Sequence, residues 1–239
     1  MEINFDALSA PFPSSSISWR VGATTKDKAK GIALAYIDAR DVMRRLDGVC
    51  GPNNWQNKYS WSDGKTVVCD IGIRINGEWV WKSNGAGDTD VEAEKGKLSD
   101  AFKRAAVLWG IGQYLYSLPN VWVPLEGSGN SQKIPLASVQ ELNRSHDAFV
   151  IEYKDHLARE RFEYYKEIYA KSIKAIKFHI SAGELSSACE AWDEIGRHVQ
   201  LGLWRAETKG GVFTTEEMKT IKSKEFRESF YGSNDGRPE

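Results

Sequence analysis

The sequence predicts an α+β fold: an antiparallel β-meander packed on helices (a β-β-β-α core), followed by a helical C-terminal extension. Three observations carry that expectation. Val67, Cys69, Ile71, Ile73 and Ile75 recur with a period of two, which puts them on one face of a strand. Asp63-Gly64 and Asn76-Gly77 flank that run, and both dipeptides favour the two-residue turns of hairpins. The stretch 90–118, DVEAEKGKLSDAFKRAAVLWGIGQYLYSL, then places Val91, Leu98, Phe102, Ala105 and Trp109 at steps of seven, four, three and four. Those steps keep the five residues on one helical face.

In chain order, residues 1–17 are rich in Pro and Ser and predict a flexible lead or an arm along the surface. The short apolar run 30–37, KGIALAYI, fits a strand or the first turn of a helix. Asp38 suits an N-cap, because Ala39, Val42, Met43 and Leu46 follow at helical spacing and Gly48 and Gly51 close the pattern. Trp55, Asn57, Tyr59 and Trp61 alternate with polar positions and predict the first strand of the meander. Trp79-Val80-Trp81 begins its third strand, so the meander covers 55–83, and 83–88 predicts a loop into the helix. The acids Asp88, Asp90, Glu92 and Glu94 suit the helix N-terminus, whose dipole favours negative charge.

On the polar side of that helix stand Lys97, Asp100, Lys103 and Arg104. Asp100 precedes the last two by three and four residues, the spacing of helical neighbours. Gly110 and Gly112 free the chain to turn. The turn-rich segment 119–135 predicts a linker over 126–136, between a core at 18–125 and a helical region at 137–231. Residues 138–205 contain three glycines and no proline. Within them 153–174 is aromatic and charged, as in a long exposed or oligomer-forming helix. Thr214 and Glu217 have the spacing of a capping box, and 232–239 reads as a disordered tail.

Composition narrows the class. At 41% hydrophobic, 239 residues can bury a core, and no run of 18 apolar residues suggests a membrane span. The N-terminus lacks the basic-then-apolar pattern of a secretory signal. Three cysteines without CxxC spacing suggest a reducing cytoplasm and no structural zinc. The net charge of −1 does not announce a nucleic-acid binder, but residues 20–45 hold seven bases against three acids. Any basic surface must therefore be local.

Catalytic signatures are sparse. Gly85-Ala86-Gly87 lacks the rest of a dinucleotide fingerprint and reads as a loop, and no phosphate-binding GxxxxGK[ST] exists. All four histidines lie beyond Pro135 without metal-ligand spacing. The alternative is a nuclease or other DNA-processing enzyme, and its strongest form is a metal nuclease using Asp70, Glu78 and Lys82. Four residues of strand, however, put Glu78 and Lys82 about 13 Å apart at the backbone. The expectation is a non-enzymatic protein without cofactor or metal. A binding reading uses Arg20, Lys65, Lys103 and Arg104 for phosphates and Tyr36 as a face for a base.

Two blocks carry a family resemblance. Residues 36–55, YIDARDVMRRLDGVCGPNNW, and 98–110, LSDAFKRAAVLWG, resemble the two ordered motifs of the Rad-fifty-two family of single-strand annealing proteins. Ser18-Trp19-Arg20-Val21 is similar to the arginine-bearing segment that precedes them. The resemblance covers about residues 18–120. It implies a ring of many subunits that binds single-stranded DNA in a basic groove and anneals complementary strands in recombination and repair. It also implies an inner groove at Arg20, Tyr36, Lys103 and Arg104 and an outer contact in part at Lys65. Where the family carries one more arginine on the helix, this sequence has Val107, which implies either weaker binding or a contact supplied by Lys95 or Lys97. The short chain with a separate tail looks more like the phage and prophage members than the eukaryotic ones, which implies the cytoplasm of a bacterial host. Its C-terminal region would then serve a single-strand-binding protein or a phage exonuclease, or only buttress the ring. A structural oligomer that binds no nucleic acid is a third reading.

Overall fold

The computed structural model describes residues 3–62, 66–86, 94–127 and 131–231. They fall into two compact units, 1–150 and 151–239. The first opens with α1 (Phe5–Ser9), β1 (Ser18–Thr24), β2 (Lys30–Tyr36) and α2 (Ala39–Cys50). The meander β3 (Trp55–Ser62), β4 (Thr66–Ile75) and β5 (Glu78–Ala86) follows. Next come α3 (Glu94–Val107), a short β6 (Val121–Pro124) and the start of α4 (Leu136–Ile168).

The meander forms where the period of two placed it, in the antiparallel order β3-β4-β5. The β4–β5 turn places Asn76 at φ 51° and Gly77 at φ 92°. Two consecutive left-handed residues are what an Asn-Gly hairpin turn requires. The Asp63-Gly64 turn lies outside the described residues. Val67, Cys69, Ile71 and Ile73 of β4 are fully buried, and α3 covers them. The buried stripe of α3 is Ala101, Phe102, Ala105 and Ala106. Three of these are alanines, whose small side chains let the helix lie close on the sheet. Phe102 meets the Trp55 ring at 6.2 Å, and the Trp109 indole N–H donates to the Ile71 carbonyl at 3.1 Å.

Several expectations need correction. Leu98, expected on the buried face, is exposed. The helix ends at Val107, and the chain turns through Gly110 at φ 86° and Gly112 at φ 72° before a 3-10 turn at Gln113–Ser117. Gly85 and Ala86 belong to strand β5 rather than to a loop. The run 30–37 is a strand. It joins β1 and β6 in a second antiparallel sheet, ordered β1-β2-β6, which the meander-only core did not include. Its inner face packs Ala33 and Val123 with Leu142 of α4, and the Trp19 indole N–H donates to Asn143 Oδ1 at 2.8 Å.

The lead is not loose. Ile3, Leu8, Phe12 and Ile17 are buried. Arg45 of α2 donates from one Nη atom to the carbonyls of Ala7, Leu8 and Ala10, and its guanidinium lies 4.1 Å over the Phe12 ring. The Tyr114 hydroxyl accepts from the Phe12 N–H at 3.2 Å and meets His146 Nε2, itself buried, at 3.0 Å. The helix α2 that carries Arg45 begins with a capping box between Asp38 and Asp41.

The second unit is helical. It holds α5 (Ala170–Ala182), α6 (Leu185–Glu194), α7 (Arg197–Leu203), α8 (Thr215–Lys222) and α9 (Lys224–Tyr231). Ile176, Ala188, Val199, Leu203, Phe213 and Phe226 form its core, with Trp192 edge-on to Trp204 and Phe213. Thr214 and Glu217 make the expected capping box. Residues 232–239 lie outside the described residues. No described helix is long and apolar enough to cross a membrane. Cys50, Cys69 and Cys189 are free and buried.

Candidate nucleic-acid interface

The β1-β2-β6 sheet buries one face and leaves the other open. Register fixes which residues share the open face: Ser18 stands opposite Tyr36, and Arg20 opposite Leu34. Arg20 is exposed, and Tyr36, at the end of β2, is 37% exposed. Lys103 of α3 holds its ammonium 5.6 Å from the centroid of the Tyr36 ring. The fold thus brings two of the expected residues, 67 positions apart by their numbers, within cation–π range of each other.

Arg104 is held differently. Its Nε donates to Asp100 Oδ2 at 2.9 Å, an exposed i,i+4 pair. Lys97 is half-buried on the same helix, two turns before Arg104, and has interactions of its own. Lys65 lies outside the described residues. Val107, at the position of the missing basic residue, is half-buried.

An acid borders the cluster. The Arg40 side chain and backbone N–H both donate to the Asp38 carboxylate, at 2.9 and 2.8 Å for its Nε and N. These bonds, aided by the Lys103 charge, hold the Asp38 pKa at about 2. A carboxylate held below its ordinary value stabilises the fold above about pH 4, and that contribution disappears as pH falls toward 2. Asp38→Asn keeps a good cap but removes the charge. The stability gap between wild type and Asp38→Asn should therefore narrow between pH 4 and pH 2, read by urea unfolding. The gap should be small, because half of the Asp38 side chain is in solvent.

The register does not bring the proposed nuclease residues together. Asp70 stands opposite Ser83, whereas Lys82 stands opposite Ile71, so Asp70 and Lys82 point to opposite faces of the meander. Lys82 Nζ also donates to the Leu108 carbonyl at 2.7 Å and lies 4.4 Å from the Trp109 ring centroid. Among the described residues, no group of three or more His, Cys, Asp or Glu is placed to hold a metal ion.

Two aromatic sites escaped the sequence reading. Trp122 of β6 is 48% exposed on the same open face as Tyr36. On the other sheet, Lys58 lies 4.4 Å over the Trp81 ring, which rests flat on Gly72: a Cβ there would meet it at 2.9 Å. Only period-two alternation could have signalled them, and in β6 it extends over four residues.

These features define an α+β protein with an open basic and aromatic sheet face beside a covering helix. Residues 4–134, more than half of the chain, match the Rad52/22 family of double-strand break repair proteins, and the chain belongs to that family. It is similar to the single-stranded DNA-binding protein DdrA of Deinococcus deserti, at 40% identity over 117 residues. That match covers 48% of this chain and 58% of the relative. DdrA of Deinococcus radiodurans is 35% identical over 127 residues, covering 53% and 61%. The chain therefore spans about three fifths of the length of these curated relatives.

Proposed function

We propose that this protein binds single-stranded DNA and anneals complementary strands in recombination and repair, without covalent chemistry. The observation that carries the reading is the Tyr36–Lys103 pair at the rim of the open sheet face. A cation beside an aromatic ring offers a phosphate partner and a stacking face a few ångströms apart, which suits a flexible single strand. Family membership and the DNA-binding relatives support it. Neutralised phosphates repel a complementary strand less, so pairing is accelerated by charge alone.

The site works best when repeated around a ring, as is expected of the chain. Both outer strands of the meander, β3 and β5, present an edge in the described sheet, and Tyr59 and Trp61 are exposed on β3. Such edges favour pairing with a neighbour. The test is annealing of two complementary labelled oligonucleotides, with and without magnesium. Faster annealing with intact strands supports the proposal. Absence of binding, or magnesium-dependent loss of the DNA, overturns it.

A further inference from the structure

The open face of the β1-β2-β6 sheet carries more than Arg20 and Tyr36. In β6, Trp122 stands opposite Ile32, so it shares a face with Ile32, Leu34 and Tyr36 of β2. Nearly half of the Trp122 side chain is in water, although the same strand buries Val123 on the other side. The strand positions of this face include Arg20 and Lys30 and no carboxylate. A large exposed indole on a sheet face whose strand positions carry two cations is complementary to a polyanion that carries flat apolar rings.

We infer that Trp122 is a base-stacking residue of the single-strand site, a second platform on the sheet face that begins at Tyr36. This rests on the single-stranded DNA reading above and adds a contact to it. The spacing gives the platform a definite role. Ile32 and Tyr36 are four residues apart along β2, and Trp122 is one strand over from Ile32. At about 3.3 Å per residue and 4.8 Å per strand, the two rings are about 14 Å apart. Stacked neighbouring bases are about 3.4 Å apart along a strand, so the two rings hold bases that are not neighbours. The nucleotides between them pass over Ile32 and Leu34, whose side chains supply no hydrogen-bonding group, and keep their pairing edges free. The strand is pinned at two points and available between them.

The test compares wild type, Trp122→Ala and Trp122→Phe for binding of labelled oligo(dT) and of an abasic oligonucleotide of equal length, across salt concentrations. Trp122→Ala should weaken oligo(dT) binding about 5- to 140-fold, the range that loss of one stacked base predicts. The slope of log affinity against log salt should stay unchanged, because no cation is removed. Trp122→Phe should restore most of the affinity. On the abasic strand, which has nothing to stack, wild type and Trp122→Ala should bind alike. Light scattering should give the same particle size for all three proteins. Unchanged oligo(dT) affinity, or an equal loss on the abasic strand, overturns the assignment. So does a changed particle size, which would make the indole a contact between copies. Failure of wild type to bind oligo(dT) at all would overturn the single-strand reading itself; wild-type binding with an indifferent Trp122→Ala overturns only the platform.

Discussion

Replacing Lys103 and Arg104 together by alanine should abolish strand annealing while leaving a folded protein. Each phosphate contact on a single strand contributes about 0.7 to the slope of log affinity against log salt, so losing both should flatten it by about 1.4. Affinity should fall alike for every base sequence, since phosphates carry no base identity. The stability cost should be near 1 kcal/mol. Arg104 surrenders an exposed ion pair with Asp100, about 0.3–0.5 kcal/mol, and Lys103 a cation–π contact with Tyr36, about 0.5–1 kcal/mol. The single variants should differ. Arg104→Ala also frees Asp100, whose unpaired charge then repels the phosphates, whereas Lys103→Ala leaves the Tyr36 ring without its cation. An unchanged salt slope in a folded double variant would make α3 an ion-paired scaffold only. Circular dichroism and anisotropy titrations at several salt concentrations decide.

The largest stability effect is expected at Arg45 of α2. Its guanidinium satisfies three carbonyls at and just beyond α1, at 3.1, 3.0 and 2.6 Å, and covers the Phe12 ring. Hydrogen bonds to a charged group are worth about 1.5–3 kcal/mol, and one nitrogen serves all three acceptors, so the terms do not simply add. Arg45→Ala should destabilise the first unit by about 3 kcal/mol and expose residues 3–17 to protease. Arg45→Met is the informative control, because it keeps an apolar stem over Phe12 but cannot donate. If the hydrogen bonds dominate, Arg45→Met should be nearly as unstable as Arg45→Ala in urea. A loss below about 0.5 kcal/mol in both would mean that the lead is only loosely docked.

What the sequence made legible was local. The period of two in β4, the Asn76-Gly77 turn, the Asp38 and Thr214 caps and the turns at Gly110 and Gly112 each depend on residues a few positions apart, and each is present. What it hid was long-range. Four residues of β6 within a turn-rich stretch carry too little alternation to mark a strand, and their partner lies far back in the chain. The lead looked loose because its anchors, Arg45 and Tyr114, belong to distant elements that reach it through backbone groups. Helical spacing puts the large Leu98 on the buried face, whereas α3 meets its sheet mainly through alanines and leaves Leu98 exposed. At the site, the family resemblance named Tyr36 and Lys103, and no pattern in the sequence foretold that they touch. Trp122 could be paired with them only once β6 had a register.

The β2–β6 pairing also sets an order of assembly. Ala33 and Val121 are register partners although about 90 residues of chain separate them. The β3-β4-β5 hairpins and the β1–β2 hairpin close over short loops, while β6 must pay the closure entropy of a long one and zips up late. During synthesis, a nascent chain that has just emitted Leu118 already contains Arg20, Tyr36 and Lys103 but no third strand beside them. The open face is therefore among the last surfaces of the first unit to mature, and refolding probed at Trp122 should lag behind refolding probed at Trp109.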